Sequence, residues 1–298
     1  MDGVYINGQW RSGAGNHFQN HCPATGDVVW DGRGANADEV NEAVASARQA
    51  FHDWANLPQS DRTAILERYA DEIEKRTDAI AETISCDMGK VFWESRSEAA
   101  TMKAKVAVSI AAQVERAGSK FSEANFGSSH LTHRPHGVMA VFGPFNFPGH
   151  LPNGHIVPAL LAGNTCVFKP SELAPGVAFH MAEAFAAAGL PEGCLNIVHG
   201  GRETGGALLN ADINGLLFTG SAATGVHFHK HFAGRPEVIL ALEMGGNNPL
   251  IIWDPADVDA AADIAAQSAF LTSGQRCSCA RRVVLPKGAW GDQVADAI

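Results

Sequence analysis

The chain has 298 residues, 46% of them hydrophobic, and its 22 basic and 32 acidic side chains give a formal charge of −10. That apolar content is enough for one large core or two smaller ones. The acidic balance, with no Lys/Arg block, argues against a nucleic-acid partner and against an anionic membrane surface. The most apolar stretch, Val138 to Phe168, is cut by Pro144, Pro148, Pro152 and Pro158, so nothing approaches the ~20 apolar residues of a membrane span. Met1-Asp2-Gly3-Val4 lacks the basic-then-apolar pattern of a secretory leader, and a cytoplasmic location is the expectation. Cys22, Cys86, Cys166, Cys194, Cys277 and Cys279 show neither paired metal spacing nor the density of a disulfide scaffold. Reduced thiols and no metal are expected.

In chain order, the first third reads as mostly helical. Val40, Val44, Ala47, Phe51 and Trp54 recur at helical spacing after Asp38, a plausible N-cap. A second helix from Pro58-Gln59-Ser60 carries Ile65, Leu66, Tyr69, Ile73, Ile80 and Ile84 on one side and ends at Met88-Gly89-Lys90. A third runs from about Trp93 to Arg116. Ser128 to Arg134 reads as a strand, a hairpin arm rather than core because its apolar residues are few.

From Gly137 onward short apolar strands alternate with helices. Strands are predicted at Val138–Phe142, Cys166–Phe168, Leu195–Val198, Gly215–Phe218 and Val238–Leu242. Helices are predicted at Ile156–Leu161, Val177–Ala188, Gly201–Leu209 and Ala222–Phe232. Repeated β-α-β units of this length specify a parallel sheet covered on both faces, and such sheets bind ligands beyond their strand C-termini. After Gly246 a further α/β segment follows: a strand at Pro249–Trp253, a helix around Ala260–Phe270 and a strand at Arg282–Leu285. Trp290, Val294 and Ile298, four apart, begin a last helix whose apolar face is unmatched, so the chain reads as C-terminally truncated.

Three short turns carry a thiol, a carboxylate and an amide: Gly274-Gln275-Arg276-Cys277, Glu243-Met244-Gly245-Gly246 and Phe145-Asn146-Phe147-Pro148. Acyl chemistry on a carbonyl needs a nucleophile, a base and a donor for the developing oxyanion, and these residue types can fill those roles. Each has a plainer reading. Cys277 alone could be a buried inert thiol, Glu243 a solvated strand end, and Asn146 an ordinary turn residue. A Glu at the end of a buried strand would have its pKa raised toward the range of a general base. Phe218-Thr219-Gly220-Ser221-Ala222-Ala223-Thr224-Gly225 is a strand, a glycine turn and a helix start that can present N–H groups to a pyrophosphate. It is neither G-x-G-x-x-G nor a P-loop, and a plain tight turn is as good a reading. Of His227, His229 and His231 only the outer two share a helix face and no carboxylate completes a metal set, so they read as surface residues.

The order and wording of the three turns resemble the aldehyde dehydrogenase superfamily. The resemblance implies an α/β fold with a parallel Rossmann-type sheet, helices on both faces, and an incomplete α/β catalytic domain. Residues 1–121 and 138–246 would form the NAD-binding domain, 122–137 a hairpin arm for oligomerisation, and 247–298 the start of the catalytic domain. It implies Cys277 as nucleophile, forming a thiohemiacetal and then a thioester, with Glu243 activating the hydrolytic water. Asn146 and the Cys277 N–H would hold the oxyanion. NAD would bind with Lys169 and Glu172 at the adenosine ribose and Ser171 beside them. Ser221 would meet the pyrophosphate, with Gly220, Ala222, Ala223, Thr224 and Gly225 around it.

The wording of Phe145 to His155, of Gly245-Gly246-Asn247-Asn248-Pro249 and of Arg276 to Arg282 looks like that of family members that oxidise N-succinylglutamate 5-semialdehyde in arginine breakdown. Such a substrate bears two carboxylates and would want Arg or His donors, for which Arg276 and His150 are candidates. Arg276 fits an internal ion pair equally well. The competing functions are oxidation of another small semialdehyde, an acylating or esterase-type cysteine enzyme, and a non-catalytic nucleotide-binding fragment.

Overall fold

A computed structural model describes residues 3–253 and 257–298; Met1 and Asp2, part of the stretch read for a leader, lie outside the described residues. The chain forms two compact units, Met1–Glu243 and Met244–Ile298.

The first unit opens with four short strands, β1 (Val4–Ile6), β2 (Gln9–Arg11), β3 (His17–His21) and β4 (Val28–Arg33), so the first third is not helical throughout. Helix α1 (Ala37–Asn56) is capped by Asn36 rather than Asp38. The Asn36 side chain accepts from the Glu39 N–H and the Glu39 carboxylate accepts from the Asn36 N–H, each at 2.9 Å, a reciprocal arrangement that satisfies two orphan donors. The single helix expected from Pro58 to Met88 is two, α2 (Gln59–Lys75) and α3 (Thr77–Met88), separated by Arg76 at φ −101°, ψ 7°. Ile73 and Ile80 stay buried on either side of the break, which is why one apolar face reads as continuous. Gly89 closes α3 at φ 66°, the left-handed conformation that glycine adopts without a Cβ penalty. Helix α4 (Phe92–Arg116) follows, and then β5 (Lys120–Ala124) and β6 (Gly127–Leu131) pair as an antiparallel ribbon exposed along its whole length.

The alternating region forms β7 (Val138–Phe142), α5 (His150–Leu161), β8 (Thr165–Lys169), α6 (Val177–Ala187), β9 (Leu195–Val198), α7 (Arg202–Asn210), β10 (Gly215–Gly220), α8 (Ala222–His231) and β11 (Ile239–Met244). Seven strands share one sheet in the order β11-β10-β7-β8-β9-β1-β2. Strands β10, β7, β8 and β9 run parallel, while β1 lies antiparallel to both β9 and β2. The parallel sheet with two covered faces is therefore present, extended at one edge by the N-terminal hairpin. Side-chain alternation divides the core. Met139, Val141, Cys166 and Phe168 face the cluster built with α2 to α6. Val138, Ala140, Phe142 and Val167 face the one built with α1, α7 and α8. Burial on both faces is what makes these strands read as unbroken apolar runs.

In the second unit β12 (Asn248–Ile251) pairs parallel with β13 (Ala280–Val284). Between them lie α9 (Val258–Phe270), capped by the Asp257 side chain on the Ala260 N–H, and a 3₁₀ turn at Leu271–Gly274. Helix α10 (Ala289–Ala297) packs on α9 and buries Val294 completely. Among the described residues no helix is long and apolar enough to cross a membrane.

Candidate functional site

Three neighbouring parallel strands end on the same side of the sheet, β7 and β8 level with each other and β10 two residues farther on. Phe218 of β10 is paired with Phe142 of β7, which is paired with Lys169 of β8. The turns that follow leave the same edge of the sheet about 4.8 Å apart per strand. They carry Thr219 to Gly225, Asn146, and Lys169 to Glu172.

After β8, the Lys169 ammonium is buried and reaches the Glu172 carboxylate at 3.3 Å and the Pro170 carbonyl at 3.1 Å. Burial lowers the Lys169 pKa, and the Glu172 charge opposes that shift. Glu172 itself is exposed, and the Ser171 hydroxyl accepts from the Leu173 N–H. Farther along the same loop, the Gly176 N–H donates to Asp87 at 2.9 Å, and Asn20 donates to the other oxygen of that carboxylate at 3.2 Å. Burial pushes Asp87 up to about 6 despite both bonds.

After β10, Ser221 caps α8: its hydroxyl accepts from the Thr224 N–H at 3.1 Å. The N–H groups of Ala222 and Ala223, in the first turn, have no intrahelical acceptor. They are therefore the donors an anion would meet, while the Ser221 hydroxyl already serves the helix. A Cβ at Gly220 would lie 2.5 Å from the Phe218 ring, so only glycine fits there. His155 on α5 meets the Thr219 hydroxyl at 2.9 Å, and burial, helped by Lys105, lowers its pKa to about 4.

After β7, Asn146 is half-buried and α5 starts at His150, well before the predicted Ile156. Gly154 and the prolines of this stretch hide the helix from a periodicity reading, because they are poor helix formers. His150 is half-buried, and its Nδ1 is a buried atom without a hydrogen-bond partner among the described residues. Burial first, and then Lys105 and Lys90, lower its pKa. Glu243 is exposed near the end of edge strand β11, whose residues are exposed or half-buried throughout. Strand β11 is therefore not the buried strand expected to desolvate this carboxylate.

In the second unit Cys277 is exposed and Cys279 is buried. Asn248 donates to the Cys277 carbonyl at 2.7 Å and to the Cys279 carbonyl at 3.3 Å, which fixes the backbone on both sides of Ser278. Thr272, Ser273 and Gly274, just upstream, are all left-handed, with φ of 57°, 56° and 69°. Arg276 is half-buried, and its carbonyl accepts from the Cys279 N–H at 3.3 Å. His227, His229 and His231 are exposed. Among the described residues no group of three His, Cys, Asp or Glu could hold a metal ion.

Sequence reasoning missed the groups that hold these turns: Asp87, His155, Asn248, and the buried pair Lys90 and Glu98. Lys90 reads in the sequence only as part of a helix-ending Met-Gly-Lys, because nothing there marks Glu98, eight residues on, as its partner.

The family model described as "Aldehyde dehydrogenase family" matches residues 10–298. The chain belongs to the aldehyde dehydrogenase family. Among curated aldehyde dehydrogenases it is 57% identical over 294 residues to an N-succinylglutamate 5-semialdehyde dehydrogenase of Burkholderia mallei (strain SAVP1), covering 98% of this chain and 60% of that one. It is 55% identical to the enzyme of the same name from Paraburkholderia xenovorans (strain LB400), with the same coverage. The chain thus spans about 60% of the length of the curated relatives it matches. The crystal structure of an aldehyde dehydrogenase from Brucella melitensis biovar abortus 2308 superposes with a TM-score of 0.92 at 31% identity, over 100% of this chain and 62% of that one. The P. syringae indole-3-acetaldehyde dehydrogenase in complex with NAD+ and IAA gives 0.88 at 28% identity, over 95% and 59%. An NADP-dependent glyceraldehyde-3-phosphate dehydrogenase from Bacillus halodurans C-125 complexed with NADP gives 0.91 at 29%, over 99% and 63%.

Proposed function

We propose that this chain is the dinucleotide-binding part and the nucleophile-bearing segment of an NAD-dependent aldehyde dehydrogenase acting on N-succinylglutamate 5-semialdehyde. The observation that carries this reading is the convergence of three turns at one edge of the parallel sheet, with Asn146, Lys169 with Glu172, and the start of α8 on neighbouring strands. The 57% identity to relatives of that name supports the substrate.

The residues present fit a dinucleotide. Glu172 is an exposed carboxylate braced by a buried ammonium, suited to accept from ribose hydroxyls, and the α8 N-terminus stands about two strand spacings away, suited to a pyrophosphate. When bound, the nicotinamide supplies the hydride acceptor. The Cys277 thiolate adds to the aldehyde carbon, forming the C–S bond and moving the carbonyl electron pair onto oxygen. The Asn146 NH₂ and the Cys277 N–H hold that oxyanion. Once the C=O has re-formed with loss of hydride, the product is a thioester on Cys277. Glu243 takes a proton from water as it attacks the thioester, and the C–S bond breaks to release the acid and the thiolate. Arg276 and His150 would recognise the substrate carboxylates. The exposed β5–β6 ribbon, with Phe121, Phe126 and Leu131 open to solvent, would pair with another copy of the chain.

The test is pre-steady-state NADH formation by the complete polypeptide. Glu243→Gln is expected to give one burst and then stall at the thioester, and Cys277→Ser to give no burst while retaining dinucleotide affinity. Turnover of Cys277→Ser near wild type would remove the thiol from the reaction. N-succinylglutamate 5-semialdehyde should exceed acetaldehyde in kcat/KM by at least about tenfold, the ~1.4 kcal/mol one extra carboxylate contact can supply. Equality would leave only the family.

A further inference from the structure

The loop bearing Asn146 is held from behind by a buried ion pair. The Lys90 ammonium lies 2.9 Å from one oxygen of Glu98, and the two side chains are 0% and 1% exposed. The other Glu98 oxygen accepts from the Gly149 N–H at 3.0 Å and from the His150 N–H at 3.2 Å. Lys90 also stands 3.8 Å from the centroid of the Phe147 ring, the residue next to Asn146. Two charges on and beside α4 thus grip the backbone and one side chain of a single loop.

The surroundings narrow what this pair can be for. A buried ion pair contributes little net stability, because desolvation offsets its Coulomb attraction, yet breaking it leaves an uncompensated charge. A core that needed only stability could hold two apolar residues there. What apolar residues could not do is accept two successive N–H bonds at the entry to α5. Gly149 fits the same purpose: a Cβ on it would lie 2.5 Å from the Met102 sulfur, so glycine lets the loop sit against α4. A second tether lies one turn farther along, where the Asn153 amide donates to the Met102 carbonyl at 2.9 Å and accepts from the Tyr69 hydroxyl at 2.8 Å.

Resting on the assignment of Asn146 above, we propose that Lys90 and Glu98 are positioning residues: they fix the Asn146 turn so that its amide is already aimed where the oxyanion forms. Donors aligned in advance need no reorganisation during the reaction, and small misplacements are costly. The pair is buried inside the first unit and acts on the reaction rate through the Asn146 turn, while the same carboxylate also holds the His150 N–H.

The experiment compares the NADH burst and dinucleotide affinity of the complete polypeptide carrying Asn146→Ala, Glu98→Ala, both changes, or Lys90→Met with Glu98→Gln. With acetaldehyde, which bears no carboxylate for His150 to recognise, each of the two single variants is expected to slow the burst by about 10²-fold, the usual loss for one oxyanion donor, with dinucleotide Kd and acetaldehyde KM nearly unchanged. The double variant should be no slower than Asn146→Ala alone, since Glu98 has nothing left to position. The Met/Gln variant removes both charges, keeps an acceptor for the loop N–H groups, and should restore most of the rate; it also serves where Glu98→Ala does not fold. Multiplied losses near 10⁴-fold in the double variant, or a Met/Gln variant as slow as Glu98→Ala, would overturn the positioning role while leaving Asn146 in place. An unchanged burst in Asn146→Ala would instead remove the assignment on which the proposal rests.

Discussion

Replacing Asp87 by Asn should change how stability depends on pH, by an amount the structure sets. The carboxylate is buried and its pKa is raised from 3.8 to about 6, burial outweighing the bonds from Gly176 and Asn20. Between those values the unfolded chain has released this proton while the folded chain still holds it, so stability falls as pH rises. The contribution is fully present below 3.8 and lost as pH passes through about 6. That rise from 3.8 to about 6 corresponds to about 3 kcal/mol in all, of which about 2 kcal/mol falls between about pH 4.5 and 7. Two histidines work in the opposite direction in the same range. His155 and His199 are both pushed down from 6.5 to about 4 by burial, so their contribution is present above 6.5 and lost as pH falls. The raw pH profile is therefore a sum, and the comparison of wild type with Asp87→Asn isolates one group. Urea unfolding followed by tryptophan fluorescence should show the variant gaining about 2 kcal/mol on the wild type from about pH 4.5 to 7, whatever its fixed cost from an altered hydrogen-bond pattern. Two curves that stay parallel across that range would refute the burial argument.

Two further outcomes are expected. Wild-type enzyme should prefer NAD to NADP in kcat/KM, because Glu172 accepts from ribose hydroxyls and repels a 2′-phosphate, and Glu172→Ala should narrow the preference; equal use of both cofactors by the wild type would contradict this placement. Tyr69→Phe should lower unfolding free energy by about 1–3 kcal/mol in urea titration, since it leaves the buried Asn153 oxygen without its 2.8 Å donor, and a loss below about 0.5 kcal/mol would mean that the site rearranges.

The α/β region was legible because its strands are buried on both faces. Val138–Phe142 and Leu195–Val198 are bounded as predicted, the first an unbroken apolar run and the second interrupted only by Asn196, whose buried side chain is bonded to the Gly193 carbonyl and the Asn7 N–H. The N-terminal strands were not legible. β2 carries Gln9 and Arg11 with only Trp10 turned inward, too short a run for any period to show. Helix starts failed where the cap was not the residue next to the apolar stripe, as with Asn36, or where glycine and proline broke the pattern, as in α5. In the candidate site the chemistry-bearing residues announced themselves through their turns. The groups that hold those turns are distant in the chain, Glu98 51 residues from Gly149, Asp87 89 from Gly176 and Asn248 29 from Cys277, and such pairings exist only once the chain has folded.

The N-terminal hairpin also orders the events of synthesis. Val4 pairs with Arg11 within β1 and β2, and Val4 with Val198 of β9; the Asn7 N–H reaches the side chain of Asn196, 189 residues later. The His199 N–H donates to the Gly3 carbonyl at 2.9 Å, fastening the far end of the same strand. At ~5–20 residues per second, about 10–40 s pass on the ribosome between the first hairpin and the strand it must join. Such a ribbon is marginal on its own, and throughout that interval its free edge can pair with other chains. Strand β1 thus waits for β9 to give it an edge to join, while β10 and β11, made later still, extend the opposite side of the sheet.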